Sequence, residues 1–422
     1  MPFSRLGLSA ALVRATRDRN YAAPTPIQSA AIPAILQGRD VLVSASTGSG
    51  KTAAFALPLL QRYEIEPREA PRPSRALIIV PTRELAAQIG ESVMAYARHF
   101  EQPIRVAAVF GGVSINPQMM ALRGGAEIIV ATPGRLLDLV EHNALRLRTL
   151  QALVLDEADR LLDLGFADEL KRVLEMLPPK YQTILCSATF PTEVLELANR
   201  LLRDPVRIDV PATATTAPDI QQRAICVDVA KRTPLLRHLI ETHGWTRALV
   251  FVATKYSTEH IAEKLRRTGV SAAPFHGELS QGARTETLLD FKLGQLQVIV
   301  ATDVAARGID IKQLDAVVNY DLPRSAVDYT HRIGRTGRAG ETGVAISFVS
   351  ASTEAHLRLI EKRNDLRLPR EVLAGFEPVE TETPTAAAPA ATGGIKGKRK
   401  SKKDKLREAA ARSGGDEAKS GK

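Results

Sequence analysis

The residues whose types and spacing most clearly suggest chemistry form the octet 45–52, Ala-Ser-Thr-Gly-Ser-Gly-Lys-Thr. An apolar run at 41–43 precedes it and predicts a buried strand, and the run at 53–57 predicts a helix. In that setting, backbone N–H groups curl around a polyphosphate, Lys51 adds a positive charge near its terminal phosphates, and the Thr52 hydroxyl ligates Mg²⁺. The residues expected to hold the phosphates are Thr47, Gly48, Ser49, Gly50, Lys51 and Thr52. The alternative interpretation is an ordinary strand-to-helix turn.

A second group of reactive side chains follows a predicted strand at 152–155 and begins Asp156-Glu157-Ala158-Asp159. Ligands of open parallel sheets collect beyond the carboxyl ends of the strands, so these carboxylates are expected opposite the phosphate loop. We assign Asp156 to the metal ion and Glu157 to the attacking water. An acidic surface turn is the alternative.

Two later segments could complete such a site. Ser187 and Thr189 end the next predicted strand, where their hydroxyls either approach the site or cap the following helix. Much further along the chain, Arg335 and Arg338 lie three residues apart and could share one helix face. If they reach a γ-phosphate from a second domain, hydrolysis requires that the two domains close. A basic face that touches only nucleic acid is the competing interpretation.

Apolar β-rich runs alternate with helical patterns along most of the chain, which predicts α/β domains with parallel sheets covered on both faces. We expect a first domain over 1–209 and a linker over 210–219, where small residues are flanked by prolines. A second α/β domain, without another phosphate loop, is expected over 220–374. The composition of 375–422 predicts a disordered end.

Charge is spread unevenly over the 422 residues, whose formal net charge is +10. The segment 393–422 alone holds 11 Lys/Arg against 4 Asp/Glu. Such a tail favours binding to a polyanion, most simply nucleic acid, although a solubilising end is the alternative. The 2 cysteines form no CxxC pair, which argues against a disulfide framework or zinc site and favours a reducing compartment. No apolar run approaches the roughly 18 residues of a membrane span, and we expect a cytoplasmic protein.

From residue 3 to about 370 the sequence resembles a DEAD-box RNA helicase of helicase superfamily 2. Thirteen family motifs occur in register, which is a specific match. They are Phe3, 24–28 (PTPIQ), the phosphate loop, 81–85 (PTREL), 111–112 (GG), 132–135 (TPGR), 156–159 (DEAD), 187–189 (SAT), 251–254 (FVAT), 281–284 (QGAR), 301–303 (ATD), 307–310 (RGID) and 331–338 (HRIGRTGR). The stretch 110–120 further resembles the bacterial RhlE group.

The resemblance implies two tandem RecA-like domains and several residue roles. Thr25 and Gln28 would hydrogen-bond adenine with Phe3 stacked on it, and Asp310 would contact the ribose. Ser187, Thr189 and His331 would couple the nucleotide state to RNA binding. An RNA track would cross both domains, and Arg307 would link it to the nucleotide. The other implied track residues are Pro81, Thr82, Arg83, Gly112, Thr132, Pro133, Gly134, Arg135, Gln281, Arg284, Thr302 and Asp303.

The function expected from the sequence is an RNA-dependent ATPase that uses ATP and Mg²⁺ and separates short RNA duplexes. Lys51, Glu157, Arg335 and Arg338 would carry the hydrolysis. Loop N–H groups, hydroxyls and arginines would grip RNA phosphates and sugars without reading sequence, and the basic tail would add contacts. Two alternatives stay open at this point: an ATP-gated RNA clamp or assembly scaffold with little unwinding, and a DNA-directed translocase.

Overall fold

The computed structural model describes residues 2–45, 49–64, 70–209, 220–306, 314–337 and 342–379. One compact unit runs as far as Val379, and within it two parallel sheets organise two lobes. Each sheet has seven strands. The predicted α/β class with two parallel sheets is confirmed. The predicted linker at 210–219 lies outside the described residues.

The strands of the first lobe are β1 (Val41–Ser44), β2 (Ala76–Ile79), β3 (Val106–Val109), β4 (Ile128–Ala131), β5 (Ala152–Leu155), β6 (Gln182–Ser187) and β7 (Val206–Asp209). Its helices are α1 (Ala10–Asp18), α2 (Pro26–Leu36), α3 (Lys51–Glu64), α4 (Arg83–Ala97), α5 (Asn116–Leu122), α6 (Pro133–Glu141), α7 (Ala158–Asp163), α8 (Ala167–Glu175) and α9 (Thr192–Leu201). A 3₁₀ turn, Phe3–Leu6, precedes them.

The strands of the second lobe are β8 (Ile220–Cys226), β9 (Ala248–Val252), β10 (Ala272–Phe275), β11 (Val298–Thr302), β12 (Ala316–Asn319), β13 (Gly343–Val349) and β14 (Arg370–Glu371). Its helices are α10 (Arg232–His243), α11 (Lys255–Arg267), α12 (Gln281–Lys292), α13 (Asp303–Ala306), α14 (Ala326–Ile333) and α15 (Glu354–Arg363).

The two sheets share one strand order. It is β3-β4-β2-β5-β6-β1-β7 in the first lobe and β10-β11-β9-β12-β13-β8-β14 in the second, so each strand of one lobe has a counterpart seven places later. Every pairing recorded between these strands is parallel. Because all carboxyl ends of a parallel sheet lie on one edge, the loops that follow the strands gather there in both lobes.

The apolar runs form strands because helices cover both faces of each sheet. In β2, Ala76 and Ile78 pack into the core on one face, while Leu77 and Ile79 pack into the core on the other. β9 repeats this alternation, with Val250 directed to one core and its neighbour Leu249 to the other. Side chains that alternate between two buried faces make the whole strand apolar, and this is the pattern that predicted it.

Three strands were not predicted, β3, β7 and β14, and β8 was recognised only as a strand-like run around Cys226. β3, β7 and β14 lie at the edges of their sheets, so each pairs with another strand on one side only. β7 reads Val-Arg-Ile-Asp and β8 carries Gln-Gln-Arg at its centre, so neither shows a continuous apolar run. Tertiary pairing rather than a local pattern makes these segments strands.

The expectation of disorder from residue 375 is wrong for 375–379. Phe376 packs against the core of the second lobe, the Val379 N–H donates to Asp228 Oδ2 at 2.8 Å, and Lys231 Nζ donates to the Glu377 carbonyl at 2.9 Å. The segment contains few apolar residues, so its sequence did not predict these contacts. One aromatic ring and a few hydrogen bonds hold it in place. The remainder of the predicted tail, 380–422, lies outside the described residues.

No helix in the described ranges has the length and apolar character that crossing a membrane requires.

The Asp40 carboxylate connects three strands of the first lobe at the amino edge of their sheet. Its carboxylate accepts the Thr183 N–H at 2.8 Å and the Arg203 N–H at 2.8 Å, so it joins the starts of β1 and β6 to the turn before β7. Asp40→Ala leaves two backbone donors unsatisfied, and we expect it to lower the free energy of unfolding by about 2–4 kcal/mol. Urea unfolding followed by circular dichroism measures the change.

Asp40→Asn keeps one acceptor and is expected to cost about half as much. Asp18→Ala, an aspartate whose side chain is mostly exposed, serves as the control and should change stability by less than about 0.5 kcal/mol. Equal effects of Asp40→Ala and Asp18→Ala would contradict the assigned role of Asp40.

Candidate nucleotide and RNA site

The start of α3 carries the described part of the phosphate loop. Lys51 is the first helical residue, is buried, and donates from Nζ to the Ala45 carbonyl at 2.6 Å. Gly50 has φ +92°, and a Cβ there would lie 2.5 Å from Gln28 Nε2, so only glycine fits. Thr52 follows in the first turn. Thr47 and Gly48 lie outside the described residues.

The N-terminus of α2 holds this loop from the side. Thr25 and Gln28 form a capping box, in which each side chain bonds the backbone of the other. Thr25 Oγ1 also donates to the Ser49 carbonyl at 2.9 Å, and Gln28 Nε2 donates to the Gly50 carbonyl at 3.2 Å. These two residues therefore hold the described end of the phosphate loop, Ser49 and Gly50. Their contact with adenine stays a prediction.

Phe3, the residue expected to stack on adenine, is buried in the core of the first lobe. Its ring lies parallel-offset to that of Tyr21, with centroids 6.3 Å apart. In this structure the ring serves packing, and stacking on a base also stays a prediction.

The acidic pair after β5 is buried and under electrostatic strain. Asp156 is 3% exposed, and burial raises its pKa to about 6 although the charge of Lys51 acts in the opposite direction. Glu157 has φ +53°, a left-handed conformation that is costly for a residue with a side chain. Its Oε2 has no hydrogen-bond partner among the described residues and lies 3.7 Å from Arg160 Nε.

These oxygen atoms suit Mg²⁺. This cation prefers hard oxygen donors. The site offers the buried carboxylate of Asp156, the Glu157 oxygen that accepts no hydrogen bond from the described residues, and the Thr52 hydroxyl. Within the described ranges no group of three or more His, Cys, Asp or Glu side chains is arranged to hold a metal. Mg²⁺ typically takes its remaining ligands from water and substrate phosphates, so the donor set fits it without a complete protein cage.

The end of β6 and the residues that follow it are hydrogen-bonded to the acidic motif. Asp159 Oδ2 accepts both the N–H of Thr189 at 3.0 Å and its hydroxyl at 2.7 Å. The Ser187 hydroxyl accepts the Asp159 N–H at 3.3 Å and donates to the Thr189 carbonyl at 2.6 Å. The two predicted coupling residues of this lobe are thus held by the acidic motif. A shift of one segment must move the other.

The second lobe presents α14 and the turn after it to the first lobe. A cleft between them is lined by Arg160 of the first lobe and by Asp328, His331 and Arg335 of the second. Burial and the nearby charge of Arg160 lower the pKa of His331 to about 4, while Asp159 acts in the opposite direction. Arg335 is buried, and its Nε donates to the His331 carbonyl at 3.3 Å. Arg338 lies outside the described residues.

The predicted RNA-binding residues of the first lobe lie in loops and first helical turns at the carboxyl edge of its sheet. Pro81 and Thr82 follow β2, and Thr82 caps α4 by accepting the Leu85 N–H. Gly112 has φ +75°, and a Cβ there would lie 1.9 Å from Arg83 Nη1, so the glycine lets the guanidinium approach. These contacts bring the segments after β2 and β3 together.

The segment after β4 adds the start of α6 to this edge. Thr132 precedes the helix, Pro133 occupies its first turn, and the space beside Gly134 is open. Arg135 is buried, its Nη2 donates to the Val113 carbonyl at 2.7 Å, and its Nε and Nη1 have no hydrogen-bond partner in the described chain. The Nε lies 3.5 Å from Oδ2 of the exposed Asp138, so Nη1 is the donor best suited to an additional anion.

In the second lobe, two predicted RNA-binding side chains are engaged by protein. Arg284 Nε donates to Glu84 Oε1 of the first lobe at 2.8 Å, and the two side chains are 6% and 9% exposed. The Arg284 guanidinium also lies over the Phe275 ring, 4.5 Å from its centroid. Arg284 therefore joins the lobes, and its contact with RNA stays a prediction.

Asp303 is the second of these side chains. It binds Arg332 in a bidentate pair, with bonds of 2.6 and 2.7 Å from Nε and Nη2. The pair anchors α14 to the end of β11, beside Thr302. Gln281 begins α12, and its Oε1 has no partner among the described residues. The remaining predicted contacts, Arg307 and Asp310, lie outside the described residues.

Three site residues carried no individual role in the sequence argument: Glu84, Arg160 and Arg332. Each lies inside or beside a recognised motif, and this proximity was the only signal available. Each has a partner distant in sequence, and Glu84 and Arg284 are 200 positions apart. Local spacing cannot identify such a pair.

Family models match both lobes. The model described as DEAD/DEAH box helicase matches residues 25–197, and the model described as Helicase conserved C-terminal domain matches residues 230–340. Among solved structures, "S. cerevisiae Dbp5 bound to RNA and ADP BeF3" is similar with a TM-score of 0.77 and 32% identity, over 88% of this chain and 95% of that one. The predicted tandem RecA-like arrangement is confirmed.

Two bacterial relatives extend this similarity. "ATP-dependent RNA helicase DeaD" of Buchnera aphidicola is 40% identical over 87% of this chain, which spans 60% of that protein's length. "DEAD-box ATP-dependent RNA helicase CshA" of Bacillus cereus is 40% identical over 87% of this chain and 69% of its own length. These names do not test the finer resemblance to the RhlE group. The motifs, the repeated sheet and these relatives together show that the chain belongs to the DEAD-box family of ATP-dependent RNA helicases.

Proposed function

We propose that this protein is an RNA-dependent ATPase that couples ATP hydrolysis to the local separation of short RNA duplexes. The observation that carries the proposal is the seam between the lobes, where His331 and Arg335 of the second lobe face Arg160 beside the acidic motif of the first. A nucleotide site completed by a second lobe operates only when the lobes meet. ATP binding and lobe closure are then one equilibrium.

In the proposed site, Lys51 and the loop N–H groups hold the ATP phosphates, and Thr52 and Asp156 hold Mg²⁺. The cation neutralises phosphate charge when bound. The buried Asp156 carboxyl, whose pKa burial raises, is ionised most easily when positive charge lies beside it. This supports a cation at that position.

Glu157 orients and deprotonates the attacking water. Its Oε2, which faces Arg160 but accepts no hydrogen bond from the described residues, and its strained backbone support this role, because both features are costly in a residue that serves folding alone. Arg335, and Arg338 by sequence position, would stabilise the charge that develops on the transferred phosphoryl group.

RNA would cross the carboxyl edges of both sheets. The backbone of Gly134 has open space beside it there, and Nη1 of Arg135 has no hydrogen-bond partner among the described residues. The solved Dbp5 structure, bound to RNA and ADP BeF3 by its title, supports RNA and nucleotide as joint ligands of this fold. The Arg284–Glu84 and Asp303–Arg332 pairs would transmit RNA binding to the seam. The family assignment does not favour the clamp alternative. A cytoplasmic location stays a prediction.

Replacing Glu157 by Gln tests the catalytic assignment. The amide keeps size and hydrogen bonding but cannot accept the proton, so we expect RNA-stimulated ATP turnover to fall by about 10²–10⁴-fold. ATP-dependent RNA binding should persist. Steady-state ATPase rates and RNA-binding titrations with and without ATP measure the two properties separately.

Glu175→Gln changes an exposed glutamate at the end of α8 and serves as the matched control, with unchanged turnover. Loss of both ATPase activity and RNA binding in Glu157→Gln would contradict the role given to Glu157. Full activity with equal amounts of DNA would instead favour the translocase alternative.

The lowered pKa of His331 predicts an acid dependence of stability. The unfolded chain binds a proton on this histidine near pH 6.5, whereas the folded chain resists protonation until about pH 4. The unfolded state therefore binds more protons between these values, and stability falls as the pH drops through that window. We expect His331→Gln to lose less stability between pH 7.5 and 5 than the parent protein, by urea unfolding followed by Trp245 fluorescence. Parallel losses in both proteins would show that His331 is not buried as described.

Deleting 393–422 tests the basic tail and leaves the packed segment 375–379 in place. The 11 cationic and 4 acidic side chains removed should weaken RNA affinity and flatten its dependence on salt. The logarithmic slope should become shallower by up to about 5, at roughly 0.7 per phosphate contact. Turnover at saturating RNA should stay similar. A tail of the same composition in scrambled order should restore both properties, and an unchanged slope in the deletion would support the solubiliser interpretation.

A further inference from the structure

The outer face of α11 carries an aromatic side chain that the fold does not use. Tyr256 is 72% exposed, while the opposite face of the same helix buries Thr258, Ile261 and Leu265 against the sheet. An exposed aromatic ring of this size is a common anchor for a ligand rather than a packing residue.

The ring of Tyr256 is held in a defined orientation. His260, one turn further along the helix, stacks on it with centroids 5.7 Å apart and an interplanar angle of 13°. One face of the phenol is therefore covered by the imidazole, and the other is available. A ring supported from behind is a rigid platform for a second flat group.

Positive charge continues the same face. Tyr256, His260, Lys264 and Arg267 follow at intervals of four, four and three residues, and we call this set the α11 face. At about 1.5 Å per residue it extends for roughly 16 Å. The helix holds four Lys/Arg and two Glu, and Glu263 is engaged by Arg266 and Arg267. An aromatic group followed by cations is the arrangement that binds single-stranded nucleic acid.

The α11 face begins at the proposed RNA track. α11 starts three residues after β9, whose carboxyl end lies on the same sheet edge as Thr302. Lys255, its first residue, bonds Glu278 in the loop that follows β10, and Gln281 comes three residues later. RNA that leaves this edge toward the outside of the second lobe passes over Tyr256 first.

We propose that the α11 face binds single-stranded RNA that continues beyond the track, with one base stacked on the free face of Tyr256 and its phosphates near Lys264 and Arg267. The inference rests on the proposed function, since it extends that RNA site. RNA is favoured over a protein partner because Lys264 and Arg267, the exposed side chains that continue this face, are cationic rather than apolar. Of the two glutamates on the helix, Glu259 is paired with His276 and Glu263 with Arg266 and Arg267. Every base has a π-face, so this site would tolerate any sequence.

The experiment compares two RNAs: a short one that fills only the track, and the same RNA with single-stranded extensions of about ten nucleotides at either end. Tyr256→Ala should weaken binding of the extended RNA by about 5- to 100-fold, the effect of losing one stacked base. Binding of the short RNA and the ATPase rate that it supports should not change. Tyr256→Phe keeps the ring and should bind like the parent protein.

Two further arms separate stacking from charge. An extension with abasic sugars should bind the parent protein as weakly as the normal extension binds Tyr256→Ala. Lys264→Gln should reduce the salt slope for the extended RNA by about one, while Lys292→Gln, an exposed lysine on α12, should leave it unchanged. The substituted side chains are all exposed, and equal thermal midpoints would verify that each variant folds.

The outcomes distinguish the two proposals. Unchanged affinity of Tyr256→Ala for the extended RNA overturns the α11 face as an RNA site, whether or not the track works. Equal losses in Tyr256→Phe and Tyr256→Ala overturn the stacking. Tyr256-dependent binding without any RNA-stimulated hydrolysis in the parent protein would instead refute the proposed function and leave the binding surface supported.

Discussion

The buried carboxyl group of Asp156 sets the electrostatic requirement that the rest of the site meets. Burial raises its pKa because the ionised form loses its hydration, and Lys51 offsets only part of that cost. Glu157 adds a second carboxylate beside it, with an oxygen that has no hydrogen-bond partner in the described chain. A site of this kind is stabilised by positive charge from outside the first lobe. In the proposed site, the nucleotide with its Mg²⁺ and Arg335 of the second lobe would supply it.

The repeated strand order explains how a second lobe can supply that charge. Both sheets direct all their carboxyl ends to one edge, so each lobe presents its polar loops on a single side. Where these edges meet, Arg284 bonds Glu84 and His331 approaches Arg160. Desolvation strengthens the attraction between Arg284 and Glu84, whereas burial and the charge of Arg160 keep His331 neutral. The charged groups at the seam are therefore the part of the fold on which the proposed closure by ligands depends.

Hydrogen bonds and ion pairs within each lobe fix the segments that lie beside the seam. Asp159 holds Ser187 and Thr189 as one block, and Asp303 holds α14 through Arg332. Arg332 also donates to Asn319 and lies over Phe251, so its guanidinium is fixed on several sides. Charge-assisted, bidentate bonds of this type leave little freedom of rotation. These bonds connect the carboxyl edge of each sheet to the seam.

The sequence alone determined the α/β class, the two domains, the phosphate loop and the acidic motif, because each depends on residues close together in the chain. Only the tertiary structure decided that Thr25 and Gln28 bond the phosphate loop, that Arg284 and Asp303 bond protein side chains, and that 375–379 belongs to the second lobe. Strand pairing likewise decided that the edge segments β7 and β14 are strands. The physical reason is the same throughout: a donor or an edge strand needs a partner, and folding brings that partner from far along the chain.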